Sequence, residues 1–159
     1  MGGADKVPTF VALLGAQKKM KVATLIDIQH KDRQRIENLY KVKLLQKKNV
    51  LTFADFTNTP EADIEDMFEL DFYLKLVNAE YAKGLQEPLE VKDLGLKGHR
   101  VLRAIEQYLK GHPLKNGETF NHYRPARYFL ENAAALIAHL SEATLSRFEA
   151  ASKTLNALL

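Results

Sequence analysis

The residues best suited to chemistry are carboxylates set just after two short apolar runs. Val22–Ile26 is β-branched and apolar, and it stops on Asp27. Val50–Phe53 is a second such run, followed by Asp55 and then by Asp63, Glu65 and Asp66. Runs of this kind read as strands of a parallel sheet buried on both faces. A carboxylate leaving such a strand sits at the carboxyl edge of the sheet, where open α/β folds place their ligands. Asp63 and Glu65 face a common point if the backbone between them is extended, and Asp27 joins them if the two strands are neighbours. Hard oxygen donors in that arrangement suit Mg²⁺, Mn²⁺ or Ca²⁺. The same acids also suit a purely structural role, since carboxylates before and within the first turn of a helix cap it and complement its dipole.

The elements that must position these acids follow from patterning. Asp5 caps an expected helix containing Lys6 to Gln17, with Pro8 in its first turn and Val7, Phe10, Val11 and Leu14 on one face. Asp32 caps a second, reaching about Gln46. Alternation of helix and strand argues for right-handed crossovers and a parallel sheet, of which only two strands are evident. Thr57-Asn58-Thr59-Pro60 is turn chemistry. Short helices are expected from Ala62 to about Phe68 and from Asp71 to about Lys83, with Gly84 as a stop and 84–97 as a connector. The chain is then all helical: His99 to Lys110, a helix from Pro125 through Leu140, and a last helix capped by Ser141.

Four segments taken in order carry a family resemblance: GGADKVPTFVALLGAQ, KVATLIDIQ, KKNVLTFADF and EADIEDMF. Together they resemble the Toprim region of OLD-family ATP-dependent endonucleases, over about residues 2 to 80 and more faintly beyond. The resemblance implies an α/β fold with a partial Toprim-like parallel sheet and flanking helices (1–85), followed by an all-helical C-terminal part (86–159). It implies metal-dependent cleavage of DNA, with Mg²⁺ or Mn²⁺ as cofactor and ATP used only by an ATPase part outside this sequence. Asp27 falls on the first acid of the Asp-x-Asp motif, and Asp63 and Glu65 on the later Asp-x-Glu pair, so these three are the expected metal ligands. Lys115 lies in the downstream region where the family carries a lysine that supports the metal site, and it equally suits a loop lysine with no such role. Gln29 stands where the second acid of Asp-x-Asp belongs, and the glutamate that opens the pattern would precede this sequence. The expectation is therefore the C-terminal piece of a larger nuclease, inactive or weakly active alone.

Composition is compatible with this and narrows the alternatives. The 159 residues include no cysteine, which excludes disulfides and thiolate metal sites. No apolar run approaches the ~20 residues of a membrane span, and a cytoplasmic location is expected. Net charge is only +3, but the lysines and arginines between Lys18 and Lys48 precede an acidic stretch from Asp55 to Asp71. A basic flank beside an acidic pocket suits an enzyme acting on phosphodiesters, while each lysine taken singly also suits a solvated helix face. Asn121–Phe129 combines Arg124 and Arg127 with aromatic rings, as phosphate or single-strand contacts do, or else is a helix start whose Tyr128 and Phe129 join the core. His30 follows the first strand near Asp27 and suits a metal or phosphate contact, or else is a plain polar loop residue. The competing functional class is a non-catalytic interaction or assembly module. The expected partners are DNA, the ATPase part or another chain of the same system, and a second copy of this chain, with no membrane.

Overall fold

A computed structural model describes residues 9–10, 12–13, 22–27, 37–38, 46–95 and 100–158. The protein is mixed α/β and mostly helical, with one two-stranded sheet and five α-helices among the described residues. The expected helices over 6–17 and 32–46 lie largely outside the described residues, as do Gln29, His30 and most of the basic run. Residues 9, 10, 12, 13, 37 and 38 are helical, and Lys47 and Lys48 are exposed. Contacts group Met1–Met67 with Ser146–Leu159 in one compact unit, and Phe68–Leu145 in another. No helix among the described residues is long and apolar enough to cross a membrane.

In the first unit, β1 (Thr24–Ile26) pairs in parallel with β2 (Val50–Thr52), in the register Thr24 to Val50, Leu25 to Leu51 and Ile26 to Thr52. Parallel neighbours need a crossover of a dozen residues or more, and the chain between Asp27 and Asn49 supplies it. Asn49 Nδ2 donates to Val22 O at 3.0 Å and ties the two strand starts together. The strands are only half-buried, where burial on both faces was expected. Among the described residues, Phe53, Ala62, Met67 and Ala151 form this unit's core, with Leu25, Ala54, Phe56 and Phe148 packed against them. The part of α5 (Glu142–Leu158) from residue 146 onward thus completes the core beneath the sheet.

The second unit is helical. α1 (Leu70–Glu80) packs against α3 (Tyr123–Glu131), and α2 (Val101–Gly111) adds Val101, Ala104 and Ile105 to the same core. Phe68, Phe72 and Phe129 form a ring trio, with centroids 5.7 to 6.0 Å apart. Within the stretch 84–97, expected to be a connector, the described residues 84–95 are more than that, because Leu85, Leu89 and Leu94 are buried core residues. Asn78 makes this feasible. Its side chain donates to Leu89 O at 2.9 Å and accepts from Leu89 N at 2.8 Å, satisfying backbone groups that burial would otherwise strand.

The helix expected to run through Leu140 is interrupted. α3 ends at Asn132, which has φ −114° and ψ 16°, and whose backbone N–H and Nδ2 both donate to Tyr128 O, at 3.1 and 2.9 Å. A short α4 (Ala133–Leu136) and a 3-10 turn (Ile137–His139) follow. Ser141 caps α5 as expected, its Oγ accepting from Thr144 N at 3.1 Å.

Candidate functional site

Three short 3-10 turns share one local device. In each, an acid three residues into the turn accepts the N–H of the residue that precedes it. Asp55 takes Thr52 N at 2.7 Å, Asp66 takes Asp63 N at 2.8 Å, and Asp93 takes Glu90 N at 2.9 Å. The Thr52–Asp55 and Glu90–Asp93 pairs are reciprocal caps, while Asp66 caps Asp63 N in one direction. They account structurally for Asp55 and Asp66, two of the acids that patterning set near the sheet edge. Asp27, Asp63 and Glu65 are not explained this way.

Asp27 leaves β1 at its carboxyl end, and its Oδ1 accepts the Ile64 N–H at 3.2 Å. Ile64 opens the turn Ile64–Met67. A single hydrogen bond therefore brings the acid after the first strand onto the segment that carries the later pair. The turn is inverted relative to ordinary surface chemistry. Ile64 is 44% exposed, whereas Asp63 and Glu65 on either side are only 4% and 8% exposed. Burying two carboxylates while leaving the isoleucine in water costs free energy twice over. A buried acid pair of this kind is a functional-site candidate.

Electrostatics follow from the burial. The Glu65 carboxyl is pushed up from 4.5 to about 7, first by loss of solvent and then by the charges of Asp63, Asp27 and Asp66. A hydrogen bond with its own backbone opposes these effects without cancelling them. Glu65 thus holds its proton well above the ordinary carboxylate range, beside other carboxylates. The donor chemistry fits a hard divalent cation, which would relieve that repulsion. Among the described residues no three carboxylate or imidazole groups form a ready-made cage. The fit is to Mg²⁺ or Mn²⁺ held by one or two carboxylates and otherwise by water, the usual habit of Mg²⁺.

Lys115 belongs to the second unit, at the start of an exposed 3-10 turn (Lys115–Gly117), where its N–H donates to Gly84 O at 2.7 Å. Its link to the carboxylates rests on the resemblance. The arginines of 121–129 have structural partners. Arg124 Nε pairs with Glu80 at 2.7 Å, its Nη1 pairs with Glu118, and its guanidinium lies 4.4 Å from the centre of the Tyr81 ring. Arg127 pairs with Glu80 and Glu131. Tyr128 and Phe129 pack against the core. The helix-start reading of this stretch is the one the contacts match.

One residue near the carboxylates had no signal in the sequence. Arg147, on α5, donates from Nη1 to Met67 O at 3.1 Å, across 80 residues of chain. Only the fold brings it to the turn that carries Glu65. Comparison with protein families, with curated proteins and with solved structures finds no match to this chain.

Proposed function

We propose that this chain is the Toprim part of an OLD-family endonuclease that cleaves DNA with a divalent metal, its ATPase part lying elsewhere. The observation that carries the reading is the inverted turn, with Asp63 and Glu65 buried around an exposed Ile64 and Asp27 hydrogen-bonded to the same turn. Asp27, Asp63 and Glu65 would hold Mg²⁺ or Mn²⁺. In phosphodiester hydrolysis such an ion activates water and stabilises the leaving oxygen. The protein's own contribution is positional. Ile64 N–H orients Asp27, the Asp63–Asp66 cap fixes the start of the turn, and Glu65, deprotonated, would be a ligand. Gln29 is neutral where the resembled motif has an acid, so slow or absent cleavage by this chain alone is part of the proposal.

The test is Mn²⁺ titration followed by amide broadening, with plasmid nicking assayed in parallel. Broadening centred on residues 27 and 63–65, lost in an Asp27→Asn, Glu65→Gln variant, is expected. Broadening confined to acids far from these positions would overturn the reading.

A second reading, an assembly module, is favoured by α3, where Tyr123 and Leu130 are 64% and 73% exposed at seven-residue spacing and so share a helix face. Light scattering at micromolar concentration tests it: a two-fold dimer is expected, and a clean 18.0 kDa monomer would remove it.

A further inference from the structure

We propose that Arg147 is a positioning residue for the carboxylate site, clamping the Ile64–Met67 turn through Met67 O and thereby fixing where Glu65 stands. The inference rests on the reading of Asp27, Asp63 and Glu65 as a functional site, and it adds a residue that neither the acid pattern nor the resemblance contains.

The turn is held at both ends by different means. Its start is fixed by Asp66 on Asp63 N and by Asp27 on Ile64 N, at 2.8 and 3.2 Å. Its end has a different need. Met67 is wholly buried, so its carbonyl must find a donor within the protein. Arg147 Nη1 supplies one at 3.1 Å, in a charge-assisted bond stronger than a neutral one. The helix delivers the guanidinium accurately because its neighbours are anchored. Phe148 packs against the cluster that contains Met67, and Ala151, one helical turn beyond Arg147, is buried within that cluster with Phe53 and Ala62. Positions 147, 148 and 151 form a single face of α5. Glu65 lies two residues before the clamped carbonyl, inside a turn of four residues. In so short an element, release of one end displaces every side chain it carries.

The experiment compares Arg147→Met, which keeps length and packing without a donor, with Arg147→Lys, which restores one. Native-state amide exchange is measured across the chain, together with Mn²⁺ broadening at residues 27 and 63–65. Arg147→Met is expected to accelerate exchange of the turn amides about tenfold, with little change elsewhere, and to weaken Mn²⁺ binding by a similar factor. Arg147→Lys is expected to recover most of both. Turn exchange in Arg147→Met equal to that of the natural chain would overturn the clamp. The readouts separate the two readings. If Mn²⁺ never broadens residues 27 and 63–65 in the natural chain while exchange still responds, the metal reading falls and the clamp stands. If Arg147→Met does not fold, the guanidinium protons of the natural chain decide. Slow exchange with a cross-relaxation contact to Met67 supports the clamp, and exchange as fast as that of a free arginine refutes it.

Discussion

Glu65→Gln isolates the cost of charge in the buried turn. The carboxyl is raised from 4.5 to about 7 in the folded protein, so the fold holds this proton more tightly than the unfolded chain does. Between those two values the native state binds more protons, and stability must fall as pH rises. The contribution is whole below about 4.5 and is lost as pH passes through about 7. At roughly 1.4 kcal/mol per pH unit, the interval amounts to about 3 kcal/mol. That is a large share of the ~5–15 kcal/mol that holds a typical domain together. Glutamine keeps the shape and the polarity but cannot ionise. Glu65→Gln should therefore match the natural chain near pH 4.5 and exceed it by up to about 3 kcal/mol at pH 8, with a flatter profile between. Urea denaturation at half-unit steps from pH 4 to 8.5 measures this, with constant m-values as the check that both chains unfold in the same way. Parallel profiles for the two proteins would refute the reasoning, since they would mean that Glu65 titrates alike in the folded and unfolded chains.

Three further outcomes are expected. Asn78→Ala should cost about 2–3 kcal/mol in denaturant unfolding, because it leaves the N–H and C=O of buried Leu89 without their partner. Arg124→Met should cost about 2 kcal/mol by the same measurement, since Glu80, whose side chain is only 11% exposed, loses its closer cation; the remaining Arg127 contact, at 3.4 Å, is longer. Binding to duplex DNA, followed by fluorescence anisotropy, should weaken with salt along a log–log slope of roughly −0.9 per phosphate contact, and a slope near zero would remove the case for the basic flank.

Local chemistry was legible in the sequence wherever the cause was local. Two β-branched runs became the two parallel strands, and their separation allowed no hairpin. Ser141 capped the last helix, because a hydroxyl needs only the N–H three residues on. Pro125 sits in the first turn of α3, where its missing N–H costs nothing. Elements failed where the backbone left the helix inside an apolar pattern or where burial lacked a sustained period. Asn132 leaves the helical conformation in the middle of a continuous apolar pattern, its side chain adding a second donor to Tyr128 O. Leu85, Leu89 and Leu94 sustain no single helical or strand period, and their backbone N–H groups are met one by one, by Tyr81 O, the Asn78 side chain and Val91 O.

For the acids, sequence by itself determined that Asp27, Asp63, Glu65 and Asp66 follow strand-like runs, and that three-residue spacing makes a cap. It could not separate ligands from caps, because both need the same residue types at nearly the same spacing. Tertiary structure decided that Asp55 and Asp66 close their own turns. It also decided that Asp27 reaches Ile64, that Ile64 faces water, and that Asp63 and Glu65 do not. Arg147 was the least legible residue of all. Its bond to Met67 spans 80 residues, and a contact at that separation exists only because α5 packs Phe148 and Ala151 onto the same core. Pairing over such distances is set by which apolar faces meet, and no local pattern in the chain records it.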